Sequence, residues 1–386
     1  MYGIADYGAM IADNVRMDAF VGGLRRAIRP GSVVVDLGTG VGIFALIACR
    51  LGARRVYAIE PGDAIEVARE LAAANGCADR IEFIHAMSTD VTLPERVDVI
   101  VSDISGCVPW FQRLIPSIAD ARRRFLLPGG ALIPQRDDVW AAVVEAPDMY
   151  ARRTAPWGGN AFGLDMQAAR WIAVNTLGSG FFEGAQMLAG PQVWRTIDYG
   201  VVDEPDVRDT LTWTITRAGA AHGFVIGFDR TVAEGVGFSN APDTPAGVRS
   251  QSVYPASFFP WPAPVTVGVG DRVTVDLAAV LAHDEYIWKW DTRILAHDGT
   301  GGEKSFVQST FFGLPLSASR LQHSTAGYAP TLNENGRIAA LVLESMSAGL
   351  TLGETAERLR ANFAVRFSRF EDALSYACGF SRQYAR

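Results

Sequence analysis

Residues 33–63 read VVVDLGTGVGIFALIACRLGARRVYAIEPGD, and no other stretch constrains the fold as much. A β-branched run, Val33–Leu37, meets three glycines in five residues, Gly38, Gly40 and Gly42, before an apolar helical run over Ile43–Leu51. A strand that turns this sharply into a helix needs residues without a Cβ, which tolerate positive φ and let a ligand approach the main chain. A second strand, Arg55–Glu60, ends in an acid 18 residues past Gly42. A carboxylate there can accept hydrogen bonds from ribose hydroxyls. The pattern predicts a nucleoside site at the mouth of a parallel sheet. The glycine spacing is GxGxG rather than GxGxxG, with Asp36 just before it. An acid in that place suits a cationic nucleoside better than a diphosphate.

Alternation continues to Pro134. A helix is expected over Ala64–Asn75, strands over Ile81–Ile84 and Val97–Ser102, a helix over Arg113–Leu127, then PGGALIP as a strand. Such an order predicts an α/β domain over residues 1–138. From Val139 to about residue 298, short β-rich runs such as DTLTWTITRAG and PVTVGVGDRVTVDL predict an antiparallel barrel or sandwich. HDGTGGEKS reads as a flexible connection, so residues 299–329 are expected to be a linker. Residues 330–386 carry three amphipathic helical stretches, with Thr351 and Glu354 spaced as a capping box.

Charge and cysteine content exclude several functions. The net charge of −7 argues against nucleic acid as the main partner. Cys49, Cys77, Cys107 and Cys378 lie far apart with no CxxC, so no metal site is expected, and reduced thiols fit a cytoplasmic protein. No apolar run reaches membrane-spanning length, and no secretory signal is visible.

The glycine turn resembles that of class I methyltransferases that bind S-adenosylmethionine, and the wider chain resembles the protein arginine methyltransferases. YGAMIADNVRMDAF is similar to the family segment in which a Met packs on the donor and an Arg pairs with its carboxylate; Met10 and Arg16 hold those places. LGARRVYAIEPGD, FLLPGGALIP, NAFGLDMQA and GFSNAPDTPAGVRSQSVY follow further family segments in order. The resemblance implies a Rossmann-like domain followed by a β-barrel, with S-adenosylmethionine as cofactor. It assigns donor binding to Met10, Arg16, Asp36, Gly38, Gly40, Gly42, Glu60, Ser88 and Thr89, Thr89 standing where the family often has a Glu. It also implies a homodimer, built by an arm near RRTAPWGGNAFG.

The family holds its guanidinium substrate between two glutamates after the fourth strand. Paired carboxylates match the planar fork of arginine. Here the loop reads SDISGCVPWFQRL, with Asp103 at the first position and an uncharged Gln112 at the second. The family's Thr-His-Trp loop aligns with Gly247, Val248 and Arg249, and Arg249 would repel an incoming guanidinium. Asp103 and Gln112 are the candidate catalytic pair. Tyr7, Trp110 and Arg249 are candidate substrate contacts, with Phe111 and Tyr254 as further aromatic walls. Cys107 has no His or base beside it in sequence and is read as inert.

The loop leaves three readings open: methylation of an acceptor other than arginine, arginine methylation by Asp103 alone, or donor binding without catalysis. The segment from Pro330 resembles the PqqD-like peptide-binding domains, which implies a peptide or protein substrate in a biosynthetic pathway. A helical cap on the barrel is the competing reading of that segment. A small-molecule N- or O-methyltransferase acting on a free amino acid or a natural product is the alternative function.

Overall fold

The computed structural model describes residues 3–159, 162–183, 186–242, 253–299 and 302–385. The chain divides into two compact units, Met1–Pro315 and Leu316–Arg386. In the first, two helices, α1 (Ile4–Ala12) and α2 (Asn14–Ala27), precede the alternating region. There β1 (Val33–Leu37), α3 (Ile43–Arg50), β2 (Arg55–Ile59), α4 (Ala64–Ala74), β3 (Ile81–Ile84), β4 (Val97–Ser102), α5 (Leu114–Phe125) and β5 (Leu126–Ile133) follow one another. The five strands form a parallel sheet in the order β3-β2-β1-β4-β5. Every residue of β1 is buried, as expected of a central parallel strand with both faces covered.

Residues 136–309 form two antiparallel sheets. Their strands are β6 (Arg136–Val144), β7 (Gly178–Gly180), β8 (Gln192–Asp198), β9 (Val207–Thr214), β10 (Gly219–Ala233), β11 (Val236–Ser239), β12 (Ala256–Val267), β13 (Arg272–Ala282), β14 (Glu285–Leu295) and β15 (Lys304–Ser309). One sheet runs β7-β12-β10-β6-β8 with β11 paired to β10, and the other runs β15-β14-β13-β9. Alternation along β14, where Tyr286, Trp288, Trp290, Thr292 and Ile294 are buried, turns its large side chains inward. Phe259 of the first sheet meets Trp288 and Trp290 of the second at ring-centroid distances of 5.3 Å each. Aromatic packing of this kind holds the two sheets together. Helices α6 (Pro147–Gly158) and α7 (Gln167–Val174) lie between β6 and β7; the stretch expected to begin a dimer arm starts within α6, and its Asn160 and Ala161 lie outside the described residues.

The segment expected to be a linker contains β15, which pairs with β14 from Lys289↔Ser309 to Ile294↔Lys304. HDGTGGEKS runs from the end of β14 into β15, its Thr300 and Gly301 lying outside the described residues, and the division between the two units falls at Pro315/Leu316. The second unit contains α8 (Ala318–His323), α9 (Glu334–Ser347), α10 (Leu352–Asn362) and α11 (Phe370–Tyr384). Its own small core includes Ile338, Val342, Ala356, Leu359, Phe367, Ala373 and Ala377. The Thr351 hydroxyl accepts from the Glu354 N–H at 3.2 Å while the Glu354 carboxylate accepts from the Thr351 N–H at 2.8 Å, a complete capping box. Among the described residues, no strand belongs to this unit, and no helix of the chain is long and apolar enough to cross a membrane.

Candidate active site

The glycine turn is built by its own side-chain neighbours. Gly38, Gly40 and Gly42 all take positive φ, at 72°, 52° and 83°. A Cβ on Gly40 would lie 2.4 Å from the Tyr7 ring, and one on Gly38 would lie 2.2 Å from Ile104. Both contacts are too close for any other residue without movement of the neighbour. Asp36, 1% exposed, accepts from the Thr39 hydroxyl at 2.5 Å and from the Ala45 N–H at 2.9 Å. It ties the end of β1 to the first turn of α3. Burial pushes its carboxyl up to about 7, although the Thr39 and Ala45 hydrogen bonds pull it down. The sequence placed Asp36 against the donor; the structure places it beneath the turn, as its clamp.

Glu60, just past β2, accepts from the Gly40 N–H at 3.0 Å and the Gly62 N–H at 2.9 Å. Its carboxylate therefore sits at the mouth of the turn with one bond on each oxygen, leaving lone pairs open toward the adjoining space. That space is a cavity of about 570 Å³. It is lined by Tyr7, Met10, Arg16, Gly38, Glu60, Asp103, Phe111 and Gln112, with apolar Val41, Phe44 and Ile104 between them. A neighbouring hollow of about 330 Å³ continues past Gly38 and Pro61 to Met87 and Ser88. Thr89, expected at that end, is exposed and bonds the adjacent Asp90 carboxylate at 3.3 Å, so Met87 and Ser88 line the hollow in its place.

Arg16 reaches the cavity because α2 turns one face inward. Arg16, Ala19, Phe20, Gly23 and Leu24 recur at helical spacing and are all buried. Asp13 caps that helix by accepting from the Arg16 N–H at 3.1 Å. The guanidinium donates to Asp103 Oδ2 from Nε and Nη2, at 2.6 Å in each case, a two-pronged ion pair buried at 4% exposure on both sides. Burial works against the Arg16 charge, and Asp103 more than restores it, so its pKa is raised.

Asp103 follows β4 at the carboxyl edge of the sheet, where open α/β sheets bind their ligands. Its Oδ1 accepts from the Tyr254 hydroxyl at 2.6 Å, from Arg230 Nη1 at 3.2 Å and from the Ser105 hydroxyl at 3.4 Å. Arg230 in turn forms a two-pronged pair with Asp137, Nε to Oδ1 and Nη2 to Oδ2, both at 2.8 Å. Tyr199 donates to Asp137 at 2.6 Å. The side chains of Arg230 and Asp137 are 1% and 0% exposed. Arg230 and Asp137 are direct cross-strand partners of β10 and β6. Burial and the Asp103 charge push the Tyr254 phenol above its ordinary value, so it acts as a donor.

Arg230, Asp137, Tyr199 and Ser105 were not singled out by sequence reasoning. The signal was present: Arg230 sits in GFDRTV at a position whose even-numbered neighbours Phe228 and Val232 are fully buried. Gln112 keeps φ at +44°, a left-handed conformation uncommon for a residue with a side chain, and lines both hollows. The structure does not bring Trp110 to Asp103. It packs against Trp194 at 4.8 Å and Trp288 at 6.2 Å and is 3% exposed. Burial raises the Cys107 thiol, which keeps it protonated. Arg249 lies outside the described residues.

Comparison with known proteins gives the same picture. The family model for ribosomal protein L11 methyltransferase matches residues 20–135. Protein arginine N-methyltransferase PRMT10 of Oryza sativa subsp. japonica is 31% identical over 311 residues, covering 72% of this chain and 81% of that protein. Probable protein arginine N-methyltransferase 6 of Arabidopsis thaliana is 30% identical over 253 residues, covering 63% of this chain; the match spans 56% of that relative's length. Among solved structures, Arabidopsis thaliana protein arginine methyltransferase 10 superposes with a TM-score of 0.70 at 22% identity, over 80% of this chain and 97% of that one. The Trypanosoma brucei PRMT1 enzyme-prozyme heterotetramer with AdoHcy gives 0.71 at 19% identity, over 80% and 98%. At these identities the two structures establish the fold.

Proposed function

Because this chain belongs to the protein arginine methyltransferase family, whose members use S-adenosylmethionine, we propose that it methylates a side chain of a peptide or protein at an acceptor other than the usual guanidinium. One observation carries the reading: a single cavity joins the donor-type residues Met10, Arg16, Gly38 and Glu60 to Asp103, while an uncharged Gln112 lines the same cavity.

The residues present fit the donor. Arg16 supplies a cation for a carboxylate, Glu60 has open lone pairs for ribose hydroxyls, and the Cβ-free turn allows close approach. Met10, Phe44 and Ile104 give the space between them apolar walls. When bound, the donor supplies an electrophilic methyl group on a sulfonium. The protein's own part is to orient the nucleophile and take its proton. Arg16 would hold the donor's carboxylate, which would leave Oδ2 of Asp103 to accept from an N–H or O–H of the substrate and to serve as the base for its proton. Gln112 donates or accepts a hydrogen bond and cannot act as a base. Tyr7, whose ring lies over Gly40, and Phe111 give the cavity two aromatic walls.

The test is to incubate the full chain with S-adenosylmethionine and peptide libraries, then follow S-adenosylhomocysteine and the methylated product by mass spectrometry. Methylated peptide with turnover is the expected result. Turnover on free amino acids alone would replace it with the small-molecule reading. Donor binding without turnover on any acceptor would leave a binding protein. The helical second unit supports a further part of this reading, that residues 330–386 dock the peptide and raise its local concentration. Removing those residues should weaken peptide binding and preserve donor affinity; unchanged peptide affinity would refute docking. The pairing of subunits through α6 and α7 belongs to the same proposal and is checked by sedimentation.

A further inference from the structure

The buried guanidinium beside Asp103 belongs to the protein itself. We propose that Arg230 is a resident guanidinium that excludes cationic acceptors from Asp103 and reserves the site for an uncharged N–H or O–H nucleophile. The inference rests on the reading of Asp103 as the acceptor-facing carboxylate.

A substrate guanidinium binds a carboxylate best when two parallel N–H groups meet both oxygens of one edge. In this site Oδ1 is already taken by Tyr254 at 2.6 Å, Arg230 at 3.2 Å and Ser105 at 3.4 Å. Arg230 cannot swing away to make room. Both prongs of Asp137 hold it at 2.8 Å, and its guanidinium lies 4.8 Å from the Phe228 ring centroid and 5.7 Å from those of Phe238 and Tyr254. Displacement would strand Asp137, whose side chain is 0% exposed. Release of Arg16 therefore opens Oδ2 alone, one acceptor where a guanidinium needs two.

Charge leads to the same conclusion. Around Asp103 itself, Arg16 and Arg230 balance Asp103 and Asp137, and Gln112 adds nothing; Glu60, the cavity's other acid, lies at the glycine turn on the Gly40 N–H. A cationic acceptor at Asp103 would face Arg230 across a carboxylate whose charge is already matched. Like-charge placement of that kind discriminates strongly in a desolvated pocket. An uncharged nucleophile that needs to offer only one N–H or O–H, such as an amide or hydroxyl, meets no such penalty and uses the one oxygen available.

The test uses the full chain saturated with S-adenosylhomocysteine, with N-ethylguanidinium and N-ethylacetamide as probes, read by saturation-transfer NMR. The wild type should bind the amide and bind the guanidinium at least about tenfold more weakly, about 1.4 kcal/mol. The paired variant Asp137→Asn/Arg230→Met keeps the volume and leaves no lone buried charge. It should gain about tenfold or more in guanidinium affinity, with amide binding within about twofold. Equal binding of both probes by the wild type would overturn the proposal, and so would a folded paired variant with no gain. The wild-type comparison decides by itself if the variant does not fold. Loss of S-adenosylhomocysteine binding by the wild type would instead sink the methyltransferase reading, so the two failures are distinct.

Discussion

Asp137→Asn is the most informative single change in the first unit. The substitution keeps the volume, and the amide oxygen still accepts from Tyr199, now at 2.6 Å. What is lost is the negative charge that meets Arg230 at two points, 2.8 Å each. An amide N–H then faces a guanidinium N–H. Removing one partner of a buried pair costs about 3–5 kcal/mol, because the other charge is left in a low-dielectric interior. Asp103, 3.2 Å away, compensates in part, so the lower end of the range applies, about 3 kcal/mol. At about 2 °C per kcal/mol, the low end for large domains, that is a fall in melting temperature of about 6 °C. All nine tryptophans lie before Pro315, so tryptophan fluorescence follows this unit's unfolding without the helical one. Arg230→Met should cost a similar amount by stranding Asp137. The two changes together should cost well under the sum, giving a coupling energy of about 2 kcal/mol or more. Additive losses, or single losses below about 1 kcal/mol, would show that the pair is screened or rearranged and would refute the reasoning.

Three other outcomes are expected. Asp36 has a folded pKa of about 7 against an ordinary value of 3.8, so the folded state binds the extra proton between those values. Its contribution is fully present below about pH 4 and is lost as the pH rises through 7, up to about 4 kcal/mol. Asp36→Asn should flatten that slope in denaturation midpoints measured from pH 4 to 8; an unchanged slope would assign it to other groups. Glu60→Ala should weaken S-adenosylhomocysteine binding by roughly 10–100-fold in calorimetry, since it removes a charged acceptor that also holds the Gly40 N–H. Asp103→Asn should cut turnover by about 10²–10⁴-fold while donor affinity stays near normal, and full activity would remove Asp103 from the mechanism.

The first half of the fold was legible because its signals are local. The β-branched run of β1, the glycine turn and the apolar periodicity of α3 each specify their own conformation. The observed strands β1, β3 and β4 have the bounds read from the sequence. Gly38, Gly40 and Glu60 were equally legible, since a Cβ-free turn followed by an acid at the next strand end leaves few structural alternatives. The clamping bonds of Asp36 were not legible, because its neighbours in sequence do not reveal that its carboxyl points under the turn to Ala45. Trp110 was set at the substrate for a related reason: an aromatic in this loop looks the same whether it lines the cavity at Asp103 or, as here, packs on two tryptophans and borders a separate hollow with Cys107 and Phe111.

Arg230 and Asp137 were missed for a deeper reason. They are separated by 93 residues and meet only through the register of β10 on β6. Neither carries a motif, and although Arg230 stands at a buried position of its strand, nothing in that strand names Asp137 as its partner. Yet their pairing changes what the motif residues can do. A carboxylate after the fourth strand, read alone, invites a cation. The same carboxylate held by Tyr254 and Arg230 has one face satisfied and its charge matched. An uncharged Gln112 and the internal Arg230 beside Asp103 therefore act in the same direction. Both limit the negative charge a substrate meets at this end of the cavity, Gln112 by carrying none and Arg230 by neutralising the carboxylate it touches. With Gln112 alone, Asp103 would keep a charge to offer a cation; with Arg230 and Tyr254 on its Oδ1, that charge is matched.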